Sequence, residues 1–153
     1  MGETYALRAF LHFDMLRLFG PVYAVNPTGI SIPYNTKYSV SASSLLPANE
    51  VIEKVMVDLK KAERLLKASD PIIEFGPRNE DPEDGLNHTT YRTQRMNYYA
   101  VKALQARVLL YAGETENAVI AAREVADVQE KWFPFTKYSD VTVSYTHLTL
   151  PTK

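Results

Sequence analysis

The chain of 153 residues contains no cysteine. That excludes a disulfide framework, a thiolate nucleophile and any cysteine-based metal site, and it leaves the redox compartment open. Charge of one sign is not in excess either: 17 Lys and Arg stand against 18 Asp and Glu, for a net charge of -1. Without a basic surplus to neutralise phosphates, nucleic acid is not an expected partner. Histidine is scarce, and His12, His88 and His147 are far apart in sequence. The H-E-x-x-H, G-x-S-x-G and phosphate-cradling glycine patterns are all missing. No catalytic residue, metal site or cofactor is therefore assigned, and the chain is not read as an enzyme.

A long uninterrupted apolar run is lacking too. The most apolar stretch, "ETYALRAFLHFDMLRLFGPV", carries Arg8, His12, Asp14 and Arg17 inside the 17 residues 3–19. A charge at mid-bilayer costs roughly 2.5–3.5 kcal/mol, so this is not a spanning helix. It also has no basic start and no small-residue cleavage site, so it is not a signal segment. The stretch reads instead as a helix over Glu3–Phe19. Glu3, Asp14 and Arg17 share one polar stripe, Arg8 and His12 lie one turn apart on another side, and the rest is apolar. Such a helix belongs between neighbours. Gly20 suits a left-handed cap and Pro21 a stop. His12 reads as a hydrogen-bonded helix residue.

Three further helices are expected. One runs from about Pro47 to Lys67, with Ile52, Val55, Leu59, Ala62 and Leu66 at helical spacing and Glu53, Lys54, Lys60, Lys61 and Arg64 on the opposite side. Pro47 fits its first turn. Another starts at Asn97, a good N-cap, and ends near Ala112. The last covers about Thr115 to Gln129. The tight turn at Gly113 makes these two an antiparallel hairpin, with Ala100, Ala103, Ala106 and Ala118 permitting a close crossing. Glycine at the turn and alanine five residues later match the core of a tetratricopeptide repeat. Tyr98, Tyr99 and Trp132 read as packing residues.

Two long connections separate these helices. Residues 22–46 have turn residues, β-branched residues and tyrosines, with short extended pieces expected near Ile30–Tyr34. Residues 69–94 are rich in Pro, Gly and acid. The run "NEDPEDG" does not fit a calcium loop: with Gly85 at the glycine position, Pro82 and Tyr91 fall where ligands belong. It reads as a solvated loop. The glycosylation-like "NHT" at 87–89 reads as chance.

Four blocks in order, "YALRAFLHFDMLRLFGPV", "EVIEKVMVDLKKAERLL", "RMNYYAVKALQARVLLYAGETENAVIAAREV" and "FPFTKYSD", resemble the SusD/RagB family of Bacteroidetes-type outer-membrane lipoproteins. The resemblance covers about residues 3–140. It implies an all-α fold of tetratricopeptide-like helix pairs with two long loops. The domain would be incomplete, since family members are several hundred residues long. It implies non-enzymatic binding of a glycan or other nutrient at the outer-membrane surface, for delivery to a TonB-dependent transporter. The lipid anchor and signal peptide would lie outside this chain. A soluble helical-repeat adaptor that binds a protein segment is the alternative, although such adaptors have short, regular connections. Residues 141–153 depart from the family; "SYTHLTLPTK" is similar to translated adapter sequence, and this irregular tail is read as non-native.

Glycan binding needs a flat apolar face and a few polar groups that fix orientation. The loop aromatics Tyr34, Tyr38 and Tyr91, with Asn35 and Arg92 beside them, are therefore the ligand-binding candidates. The competing role of such tyrosines is to pin the loops to the scaffold.

Overall fold

A computed structural model describes residues 1–77 and 90–136. The acidic run, the "NHT" triplet, His88, His147 and the 141–153 tail lie outside the described residues. Five helices follow in order: α1 (Gly2–Phe19), α2 (Ala48–Ser69), α3 (Ile72–Phe75), α4 (Tyr98–Tyr111) and α5 (Thr115–Trp132). The fold is all-α. Among the described residues the extended structure is one isolated antiparallel bridge, between Ile30 and Pro47. α1 packs along α2, α2 against α4, and α4 against α5.

The core is built from helical stripes. Ala6, Ala9, Phe13 and Leu16 from α1 meet Val51, Val55, Leu59 and Ala62 from α2, and Val101, Leu104 and Val108 from α4. Each fully buried leucine or phenylalanine contributes roughly 1.5–3 kcal/mol by leaving water. All five apolar positions expected on the inner face of α2 are buried.

α1 behaves differently. Leu7, Leu11, Met15 and Leu18, spaced so that they share one side of the helix, are 47–73% exposed, opposite the buried Ala6–Ala9–Phe13–Leu16 side. The two apolar faces are separated by the polar flanks read from the sequence: Glu3, Asp14 and Arg17 on one, Arg8 and His12 on the other. The helix thus has two apolar faces, of which the described residues cover one.

Boundaries differ from the expected ones in small ways. Gly20 is extended (φ -82, ψ 173), not left-handed. Glycine is needed there for close approach, since a Cβ would sit 2.5 Å from the Leu16 carbonyl oxygen. Pro47 is the N-cap of α2 rather than its first helical residue. That helix has no side-chain cap; its first amides, Ala48 and Asn49, donate to the Gly29 and Pro27 carbonyls. The long 20–47 connection therefore caps the helix it leads to. Among the described residues of 69–94, two short helical pieces appear that were not expected: α3 and a single 3-10 turn at Arg92–Gln94. Asn97 caps α4 by accepting from the Ala100 amide at 2.8 Å.

The α4–α5 hairpin turns at Gly113, whose φ of +84 needs a glycine. Leu109, Ala118 and Ala121 are buried at the crossing, with Ala106 beside them. α5 runs three residues past the expected end. Its last residue, Trp132, lies on Gly76, itself at φ +69. A Cβ at Gly76 would overlap the Trp132 ring, in a backbone region that side chains disfavour. Gly76→Ala is expected to destabilise the fold by about 1–3 kcal/mol, read as a lower midpoint in urea unfolding with unchanged slope.

Candidate functional site

The 20–47 connection is tied to the helices at both ends. At its base Ser31 N–H donates to the Leu46 carbonyl at 2.9 Å and Leu46 N–H to Ile32 at 3.1 Å. Further along, α1 and α2 hold it through a buried carboxylate. Asp58 sits on the inner side of α2, 2% exposed. Arg8 donates to both its oxygens, Nε to Oδ2 at 2.6 Å and Nη2 to Oδ1 at 2.8 Å. The Tyr34 hydroxyl donates to Asp58 Oδ2 at 2.6 Å. Arg8 Nη1 then reaches the Thr36 carbonyl at 3.2 Å. On the other side of Tyr34, His12 lies against the ring with centroids 4.1 Å apart, and its Nε2 meets the Asn35 N–H at 3.1 Å. Residues 34–36 are thus held by one bidentate ion pair, a phenol and an imidazole.

Beyond these anchors the loop opens into a concavity of about 420 Å³ lined by Pro33, Asn35, Lys37, Tyr38 and the serines 39, 41 and 43. The Tyr38 ring is 95% exposed. An exposed aromatic face beside an amide, an ammonium and several hydroxyls can stack on an apolar ring face and fix the hydroxyls around it. This volume falls within the range of small-molecule sites.

Of the five candidate residues, the structure brings Asn35 and Tyr38 together here. Tyr34 does not line the concavity; its hydroxyl is spent on Asp58, so it pins the loop. Tyr91 and Arg92 lie elsewhere. Arg92 is 2% exposed and donates to Asp70 through Nε (3.0 Å) and Nη2 (2.7 Å), and to Glu3 through Nη1. Glu3 and His12, the α1 residues nearest the two groups, are nine positions apart, about 13 Å along the helix. Arg92, offered as a ligand-binding candidate, turns its guanidinium inward and joins α1 to the segment before α4. Tyr91 is half-buried in a left-handed backbone conformation, φ 52, from which its carbonyl accepts the Gln94 amide and shapes the 3-10 turn.

Asp58 was missed in the sequence. The signal was present: Asp58 falls among Val55, Leu59 and Ala62 on an otherwise apolar face, and a buried carboxylate needs a partner. The same holds for Lys102 and Gln105, buried on α4 and bonded to Glu63 and Glu124. Among the described residues no group of three or more His, Asp or Glu could hold a metal ion, and no helix is long and apolar enough to cross a membrane.

The anchors are electrostatically coupled. Burial alone would raise Asp58, but the Arg8 guanidinium and Tyr34 hydroxyl outweigh it and hold the carboxyl below its ordinary value. Burial likewise opposes, and Lys102 and Tyr98 outweigh, in the lowering of Glu124. Burial and the bonds to these carboxylates push the Tyr34 and Tyr98 phenols up. A depressed carboxylate contributes stability that is complete above the ordinary carboxylate range and lost as pH falls through the lowered value. A raised phenol contributes stability that is complete below about pH 10 and lost above it. Thermal melts are expected to show Tm falling most steeply below about pH 4 and again above about pH 10. Asp58→Asn is expected to flatten the acid limb.

No family model matches the chain, and no curated protein matches it. Solved structures do. A SusD superfamily protein from Bacteroides thetaiotaomicron VPI-5482 superposes with a TM-score of 0.69 at 22% identity, over 92% of this chain and 27% of that one. A candidate sugar binding protein from Bacteroides vulgatus ATCC 8482 gives 0.65 at 26% identity, over 85% and 25%. A second SusD superfamily protein, also from Bacteroides vulgatus ATCC 8482, gives 0.68 at 21% identity, over 94% and 29%. The fold is that of a segment of SusD superfamily proteins, and the chain spans under a third of the length of each.

Proposed function

We propose that the chain is part of a nutrient-capture protein of the bacterial outer-membrane surface. It binds a glycan without covalent chemistry and passes it to a TonB-dependent transporter, held to the membrane by a lipid anchor outside this chain. The observation that carries this reading is the superposition over most of the chain on SusD superfamily structures, one similar structure being a candidate sugar binding protein. Among the described residues, the 33–43 loop offers chemistry that suits a sugar. Tyr38 supplies the stacking face, and Asn35, Lys37 and the neighbouring serines supply hydrogen bonds.

A glycan array probed with the chain and with Tyr38→Ala tests this. Tyr38 is almost fully exposed, so its removal leaves the fold intact. One aromatic contact of about 0.5–1.5 kcal/mol predicts a loss of roughly two- to tenfold in binding. A chain that binds no glycan, or binds one equally well without Tyr38, contradicts the assignment of this loop.

A further inference from the structure

The loop that forms the concavity is held by a histidine whose two ring nitrogens face opposite kinds of partner. His12 Nδ1 lies 2.8 Å from the Arg8 carbonyl oxygen, which only accepts. His12 Nε2 lies 3.1 Å from the Asn35 backbone N–H, which only donates. A neutral imidazole has one donor and one acceptor nitrogen, and these partners leave a single assignment: Nδ1 carries the proton and Nε2 keeps its lone pair. A second proton would turn Nε2 into a donor aimed at another donor.

We infer that His12 is a positioning residue for the 33–43 loop, whose neutral, Nδ1-protonated ring seats the backbone at Asn35 and whose protonation unseats it. The charged and titratable surroundings support a local switch rather than a global one. On α1, Arg8 lies one turn before His12. On α2, Asp58 belongs to the same cluster and is already paired with Arg8 and with the Tyr34 hydroxyl. On the loop, Tyr34 stacks on the imidazole, and Lys37 stands two residues beyond Asn35. The Asp58 carboxylate is thus engaged by other donors, and a new positive charge on His12 would be added beside Arg8 and Lys37. The core of α1, on its Ala6–Phe13–Leu16 side, takes no part. Seating the loop and unseating it therefore differ by one proton on Nε2. As a statement about glycan capture this rests on the function proposed above. Capture would then weaken in acid, because Asn35 and Tyr38 lose their fixed spacing.

Hydrogen exchange of the unliganded 153-residue chain, read by mass spectrometry at low micromolar concentration, tests the loop directly. After correction for intrinsic exchange chemistry, protection of the Asn35 amide, the donor to His12 Nε2, is expected to fall roughly three- to tenfold between pH 7.5 and 5.5, the size of one lost hydrogen bond. His12→Gln places a non-titrating acceptor on the same helix face and is expected to remove the difference between the two pH values. Equal protection at both pH values in the native chain, or the same fall in His12→Gln, would overturn the inference. A readout free of substitutions comes from the ¹⁵N shifts of His12 in histidine-labelled protein at pH 7.5: a ring protonated at Nε2 would overturn it as well. Neither readout contains a ligand. A chain that binds no glycan leaves both standing, and a glycan array with equal signals at the two pH values counts against the switch while leaving capture itself intact.

Discussion

Replacing Asp70 by alanine is expected to cost about 3–5 kcal/mol of stability, a large share of the roughly 5–15 kcal/mol that holds a domain together. Asp70 has a side chain that is 0% exposed, facing an Arg92 side chain that is 3% exposed. Its two oxygens accept both Arg92 bonds, the Ile72 amide at the start of α3 (3.2 Å) and the Tyr98 amide at the start of α4 (2.8 Å). Removing it takes two hydrogen bonds from a buried guanidinium and one from the first amide of each of two helices. Glu3, the other carboxylate on Arg92 among the described residues, is 31% exposed and belongs to α1's first turn, so it offsets little. Glu3→Gln is accordingly expected to cost about 1 kcal/mol. Urea unfolding followed by far-ultraviolet circular dichroism compares the two; equal effects would mean that the ion pair is not centred on Asp70.

The second large effect concerns the uncovered face of α1. Leu7, Leu11, Met15 and Leu18 continue into Phe19 and Val22, which are 68% and 71% exposed. A contiguous apolar patch of this kind marks a surface that another element covers. The proposed occupant is further helical chain of a longer SusD-like protein, since the similar solved structures hold more than three times as much chain. The 153-residue chain alone is therefore expected to bind a hydrophobic dye strongly and to self-associate at micromolar concentration. Leu7→Glu, Leu11→Glu and Leu18→Glu together are expected to remove most of the dye signal and leave a monomer, measured by fluorescence and light scattering. A native chain that is monomeric and dark with the dye would mean that this face needs no cover.

How much of this could be read beforehand depended on whether the signal was local. Asn97 caps α4 as its residue type suggests, and α2 was legible because Ile52, Val55, Leu59, Ala62 and Leu66 repeat with the helix. The two-faced nature of α1 was legible too, though not which face would be covered. Contacts between distant residues were not. Arg92 stands next to Tyr91 in a loop and looks like a surface group; the partners that draw it inward are Asp70, 22 residues before it, and Glu3, 89 residues before it. Tyr34 and Tyr38 are both loop tyrosines, and only the position of Asp58, 24 residues from Tyr34, decides that the first pins the loop and the second faces outward. Asn35 was chosen for its side chain, whereas its backbone amide is what His12 holds.

Sequencing the source DNA across this gene with long reads tests whether the chain is one part of a glycan-capture lipoprotein, as proposed above. The expected reading frame continues upstream to a signal peptide and a lipid-accepting cysteine. It also continues past Asp140 in helical sequence, beside a gene for a TonB-dependent transporter. A stop codon directly before Met1, with "SYTHLTLPTK" encoded as written and followed by another stop, would contradict that proposal and leave a small helical adaptor in its place.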